Sequence, residues 1–386
     1  MLIIKNGKIY TMTGNVLDKC DILINDGKFI EISADIPTSN TDIQIIDATG
    51  LNIYPGFIEA HCHIGISEEK FGVAGDDCNE STKPITPSLR AIDAINPMDS
   101  AFHSALAVGI TTVMTGPGSA NPIGGQFACI KTDGRRLDDM IIKAPAAMKI
   151  AFGENPKNAY GNIGKTPITR MGVASLIRKE LQNASDYYYL KQQSENNIKK
   201  DYRYEPYLPL FSHDMPLKAH AHRLDDIFTA IRIAKEFNLL LTLDHCTEGH
   251  LGAEYIMESG FPAIVGPSLS SRSKLEIENA DFKTPGILSK AGVRVAVTTD
   301  HPVTRIQYLP LCAGLAAKEG LGRENALRAI TIDAAIILGI SDRVGSIEVG
   351  KDADLVIYDG DPLEIMGSAV YTIVNGKITM NKKDNL

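Results

Sequence analysis

No stretch of 18 or more apolar residues occurs anywhere in the 386 residues, so nothing in the sequence reads as a membrane-crossing helix. The opening MLIIKNGKIYTM lacks a basic segment followed by a long apolar one, and it does not read as a signal peptide. Basic stripes are missing as well. Lysine and arginine total 39 against 47 aspartates and glutamates, and doublets such as Lys199-Lys200 read as solvated surface. Without a basic face to neutralise phosphates, nucleic acid is excluded as the expected partner. The six cysteines (Cys20, Cys62, Cys78, Cys129, Cys246 and Cys312) are scattered, with no C-x-x-C pair. That pattern excludes a zinc ribbon and a disulfide framework, and points to reduced thiols in a cytoplasmic protein. Internal repeats and low-complexity tracts are absent too.

What remains is the composition of a soluble globular enzyme, 44% apolar and 22% charged. Both ends of the chain read as short strands. LIIKNGKIYT, DILINDGKFIEIS and IQIIDATG alternate apolar and polar residues around Asn-Gly and Asp-Gly turns, and YTIVNGKITM repeats the pattern near the other end. The middle is different. Apolar runs of strand length recur after PGFIEAHCH, namely GITTVMTG, FACIKT, AAMKIAFG, LKAHAH, LLLTLDH, PAIVG and VRVAVTTD. Several are separated by helical stretches, the clearest being LDDIFTAIRIAKEFN with Asp225 and Asp226 near its start. Strands alternating with helices imply parallel βα units, and eight of them fill a (β/α)₈ TIM-type barrel. The expected organisation is a composite β-sandwich from residues 1–54 and 346–386, with a barrel over 55–345. Residues 154–215 interrupt the pattern as an insertion, either a lid over the barrel mouth or an outer-layer helix.

Chemistry-bearing residues cluster where these apolar runs end. His61 and His63 are two residues apart, so in a strand they share a face and can hold one ion. LKAHAH ends in His220 and His222, LLLTLDH in His245, and VRVAVTTD in Asp300. Eight of the nine histidines lie at or near these ends or just after them, His103 being the exception. Catalytic residues of such barrels come from the C-terminal ends of several strands.

PGFIEAHCH, GITTVMTG, KAHAH, LDH and TTDHP, in this order, resemble the amidohydrolase superfamily, more closely its imidazolonepropionase-related and prolidase-like members. The opening KNGKIYT and the closing GSIEVGKDADLVIYDGDP carry the same resemblance. It implies that His61, His63 and Asp300 bind a divalent metal, with zinc the ion to expect, and that His220 and His245 bind a second ion where there is one. It further implies a bridge between two ions, from Lys149 carboxylated by CO₂ or from Glu154 as the rival carboxylate. Asp300 would be the general base toward a metal-activated water, and His245 can polarise the substrate carbonyl in a one-metal site. His222, Arg223, His301 and Arg272, with Lys274, are candidate substrate contacts. For Arg223 an ion pair with Asp225 or Asp226 is the alternative.

The expected function is thus an amidohydrolase that cleaves a C–N bond, peptide or non-peptide, in a small-molecule substrate. A homo-oligomer is compatible with the resemblance. Two other readings stand beside it. One is a deaminase of a small heterocycle, although HAHRLDD lacks the H-x-x-E pattern of adenosine-type deaminases. The other is a non-catalytic scaffold, which five retained ligand candidates argue against.

Overall fold

A computed structural model describes residues 1–37, 43–69, 72–193 and 198–382. Residues 194–197 of the insertion lie outside them. The first strands are β1 (Leu2–Tyr10), β2 (Val16–Asn25), β3 (Lys28–Ser33), β4 (Gln44–Asp47) and β5 (Asn52–Pro55). The barrel strands are β6 (Phe57–Cys62), β7 (Ile110–Thr115), β8 (Ile123–Lys131), β9 (Ile141–Ala151), β10 (Leu217–Ala221), β11 (Leu241–His245), β12 (Ala263–Val265) and β13 (Val295–Val297). Then follow β14 (Leu355–Asp359), β15 (Ser368–Val374) and β16 (Lys377–Asn381).

The chain ends do combine. They form one continuous eight-stranded sheet in the order β16-β15-β14-β5-β1-β2-β3, with β4 also on β1. Its inward residues, among them Ile4, Ile22, Phe29, Ile53, Leu355 and Ile373, are fully buried in a core of their own. Lys131 at the end of β8 ties this sheet to the barrel. Its ammonium lies 2.6 Å from Asp354 and 3.0 Å from Asp352, and all three side chains are buried.

The second sheet runs β6 to β13 in sequence order. Strands β6 and β7 pair in parallel, and so do β9 to β13. The expectation of eight parallel strands is corrected at β8, which is antiparallel to both β7 and β9. The reason is chain length. Only residues 116–122 separate β7 from β8, and a parallel crossover needs a dozen or more residues. The Gly- and Pro-rich GPGSANP therefore turns the chain straight back. Elsewhere helices cross over, such as Leu224–Glu236 between β10 and β11 and Lys283–Lys290 between β12 and β13.

No backbone ladder joins β6 to β13 among the described residues, and the seam is closed by side chains. The Glu59 carboxylate accepts from the Thr298 hydroxyl, from the Thr299 hydroxyl and amide, and from the His61 amide. Thr298 Oγ1 also lies 2.6 Å from the His61 carbonyl, sharing its one hydrogen between the two oxygens, and the His63 amide donates to His301 O (2.8 Å). The two strands that carry His61, His63 and Asp300 are thereby locked together.

The insertion splits in two. Helix Arg170–Gln193 buries Val173, Ile177, Leu181 and Ala184 and pairs Arg178 with Glu236 of the neighbouring helix, so it joins the outer layer. The short helix Glu154–Gly161 instead places Asn155 beside His220. Among the described residues, no helix is long and apolar enough to cross a membrane.

Candidate active site

Strand alternation aims the side chains. On β6 and just past it, Glu59, His61 and His63 share the inward face; on β10 and just past it, Lys218, His220 and His222 do. All six are buried. His245 (φ 69°) and Asp300 (φ 52°) sit in the left-handed region, where non-glycine residues are uncommon and which clusters at functional sites.

Asp300 Oδ1 lies 3.4 Å from His61 Nε2 and 3.4 Å from His63 Nε2, and it has no hydrogen-bond partner. His61, His245 and Asp300 have donor atoms within 4.8 Å of one another, and so do His220, His222 and His245. This spacing fits a metal ion. Donors held about 2.1 Å from a tetrahedral centre lie about 3.4 Å apart. A buried carboxylate oxygen without a hydrogen bond, facing two imidazoles, is the arrangement a cation completes.

The imidazoles are prepared as ligands. His63 Nδ1 is 2.7 Å from Gly116 O, and His245 Nδ1 is 2.8 Å from Gly266 O. A carbonyl only accepts, so each Nδ1 carries a hydrogen, leaving Nε2 as the ring atom that can face an ion. Gly266 has φ 139°, and a Cβ there would fall 2.2 Å from Thr298 O, so only glycine can deliver that carbonyl. Burial lowers the pKa of His220 to about 4, although Glu276 opposes it. Burial and the other imidazoles hold His222 and His245 well below the usual histidine range. These three rings are therefore neutral at pH 7. At His63 burial is outweighed by the neighbouring Cys78 and Asp300, which push it up to about 10.

Lys149 is fully buried, with Nζ 3.5 Å from His61 Nε2 and 3.7 Å from Asp244 Oδ2. It pairs in register with Lys218 on the adjacent strand. Burial, with Lys218 adding to it and Asp244 opposing, lowers Lys149 to about 8. An amine with so low a pKa has an appreciable neutral fraction near pH 7, the form that can take up CO₂.

One solved structure decides the family. A crystal structure of an amidohydrolase from Thermotoga maritima MSB8 is 38% identical to this chain, covers 99% of it and 100% of its own chain, and superposes with a TM-score of 0.94. The chain belongs to the amidohydrolase family. The family model described as "Amidohydrolase family" matches residues 284–380. An imidazolonepropionase of Picrophilus torridus is 26% identical over 97% of both chains. The amidohydrolase tasK of Hapsidospora irregularis is 27% identical over 92% of this chain, which spans only 39% of that protein's length.

Within this amidohydrolase, the sequence candidates divide. His61, His63, Lys149, His220, His222, His245 and Asp300 come together. His301 is buried behind them; its Nδ1 accepts from the Ile306 amide, and its Nε2 has no partner. Glu154 does not join: its Oε1 accepts from the Glu276 amide, while its own amide donates to Glu276 Oε2. Arg223 forms the internal pair with Asp225, at 3.0 Å. Arg272 is exposed and donates to Ala280 O. His213 sits ahead of β10, at the opposite end of the barrel, against Asn238 O.

Four buried residues were not among the candidates. Glu59 and Lys218 lie two residues before His61 and His220, so strand period alone would have found them. Asp244 lies 3.1 Å from Lys218 and 3.2 Å from His61. Glu276, from the loop after β12, brings Oε1 to 3.7 Å from His220 and 3.8 Å from His222, and is capped by Lys274 at 2.7 Å. His220, His222 and Lys274 hold the Glu276 carboxyl far below its usual range against the effect of burial, so it is ionised.

Proposed function

We propose that this chain is a metal-dependent hydrolase of C–N bonds in small amides, cyclic amides or peptide-like substrates, built on a variant of the (β/α)₈ TIM-type barrel. The observation that carries this reading is the Asp300 Oδ1 atom, buried, without a hydrogen bond and equidistant from two imidazole nitrogens. His61, His63 and Asp300 would hold a first divalent ion, and His220 with His245 a second. Neutral imidazoles and carboxylates are the donor set of zinc and similar ions. Bound there, such an ion acts as a Lewis acid and lowers the pKa of water from 15.7 toward about 7.

The chain's own groups do the rest. Asp300 takes the proton of the attacking water and returns it to the leaving nitrogen. Its carboxylate is held well below its normal pKa, despite burial, by His245, His61 and His63, so it is ready as a base at neutral pH. His245, anchored through Gly266, keeps its Nε2 lone pair for the second ion. His222, fixed through Nδ1 to Thr247 (2.7 Å), lines the substrate side. Lys149, carboxylated, would supply the bridge between two ions, because Glu154 is occupied by Glu276. The five assembled ligand candidates weigh against a non-catalytic scaffold.

The test is hydrolysis of a panel of N-acyl amino acids, dipeptides and cyclic amides. Dialysis against a chelator is expected to lower turnover at least about 100-fold, and added zinc to restore it. Turnover unchanged by chelation would overturn the reading.

A further inference from the structure

Barrel interiors of this kind are filled by layers of branched apolar side chains. Beneath the ligand layer this barrel instead holds Lys149, Lys218 and Asp244, each 0% exposed. The ring of Phe127 stacks on His61 at 5.4 Å, and both lysine ammonium groups lie 5.5 Å from its centroid. Replacing buried ion pairs by apolar side chains is often neutral or stabilising, so this charged layer is not explained by stability.

From this layer we infer that Asp244 is a positioning residue for His61, with Lys218 as its dedicated counter-ion. The assignment rests on the proposed cation site, for which it supplies the support behind one ligand. His61 Nδ1 lies 3.2 Å from Asp244 Oδ2, a contact off the ideal hydrogen-bond line, and neither atom has a hydrogen-bond partner elsewhere. His61 Nε2 faces the Lys149 ammonium at 3.5 Å and Asp300 Oδ1 at 3.4 Å. Of these two contacts only that with Lys149 has hydrogen-bond geometry; an ammonium only donates, so Nε2 accepts and the hydrogen belongs on Nδ1, facing Asp244. The other Asp244 oxygen is taken by Lys218 at 3.1 Å and by Thr242 at 3.3 Å. Lys218 is itself held by Ala60 O at 3.2 Å, on the residue next to His61. His63 and His245 are oriented by neutral carbonyls, whereas His61 has a carboxylate, which raises the basicity of the ligand nitrogen.

Asp244 reaches this position although it is adjacent to His245. The left-handed φ of His245 ends the strand's alternation, so both side chains enter the barrel.

The experiment uses full-length protein with ¹⁵N-labelled histidine. In the metal-free wild type, long-range ¹⁵N–¹H couplings are expected to show His61 with its hydrogen on Nδ1. In Asp244→Asn, Lys218 draws the amide oxygen, the NH₂ turns to His61 Nδ1, and the hydrogen moves to Nε2. Zinc affinity, measured by competition with a chromophoric chelator, is expected to fall about 10- to 100-fold. Because a lone substitution leaves Lys218 buried without its carboxylate, the joint replacement Lys218→Met with Asp244→Leu is measured alongside. It removes both charges and should melt near the wild type, yet lose zinc affinity to the same extent. A wild-type His61 with its hydrogen on Nε2 would overturn the assignment. So would folded variants that keep both the tautomer and a zinc affinity within about twofold of wild type. A wild type that takes no zinc but shows the tautomer, and loses it in Asp244→Asn, would sink the proposed function and leave the positioning role standing.

Discussion

Asp300→Asn is expected to lower kcat about 1000-fold or more and to make the metal-free fold somewhat less stable than the wild type. The loss combines two effects. General-base catalysis alone contributes about 10²–10⁴-fold, and asparagine is also a poorer donor to a divalent ion. The stability half follows from the site's own geometry. His245, His61 and His63 hold the Asp300 carboxyl well below the usual pKa, so the ionised form stabilises the fold at neutral pH and asparagine forfeits that contribution. The backbone position is secured independently, through the Asp300 amide and the Thr298 hydroxyl (3.1 Å). A thermal melt of metal-free protein beside a turnover assay reads both halves. A variant that keeps more than a tenth of wild-type turnover would remove Asp300 from the role of base.

Lys131→Met is expected to cost about 3–5 kcal/mol, the price of leaving a buried charge without its partner. Lys131 is 2% exposed and stands between Asp352 and Asp354. Asp352 keeps Lys28 and Arg343, but Asp354 has no other cation among the ion pairs of the described residues. Its second oxygen accepts only the Asn375 amide. The cluster also depresses Asp352 to about 2 despite burial, mainly through Lys131 and Lys28, so the Asp352 carboxylate is ionised at neutral pH. Methionine fills the stem's volume and removes only the charge. Urea unfolding should therefore shift strongly, while Lys131→Arg, which keeps the cation, should shift less. A change within about 0.5 kcal/mol, as at an ordinary surface site, would contradict this account of how the end sheet is fastened to the barrel.

Much of the candidate site was legible because its proposed ligands sit where apolar runs end. His61, His63, His220, His245 and Asp300 could be read from PGFIEAHCH, LKAHAH, LLLTLDH and VRVAVTTD, since a buried parallel strand must be apolar until its C-terminal rim. Lys149 followed from the resemblance rather than from its own run. Strand direction was legible in principle and misjudged: FACIKT is as apolar as its neighbours, and only the short GPGSANP connection says that it must run antiparallel.

Other features depended on contacts between distant segments. Asp244 looks like the outward neighbour of His245 until the left-handed backbone at His245 is known. Glu276 arrives from a loop whose path no periodicity describes, and its presence explains why Glu154 is turned away from the ligands. For Arg223 the sequence leaves substrate and the Asp225–Asp226 pair open, and in the fold Asp225, two residues away, is its partner.

The central claim is that these side chains hold catalytic divalent metal. The most direct measurement is metal content per chain by inductively coupled plasma mass spectrometry, for wild type and Lys149→Ala expressed with added zinc and bicarbonate. Two ions per wild-type chain, falling toward one in the variant, are expected from a site bridged by carboxylated Lys149. One ion in both would keep the His61–His63–Asp300 site and remove Lys149 as a bridge. No metal in the wild type would contradict the account.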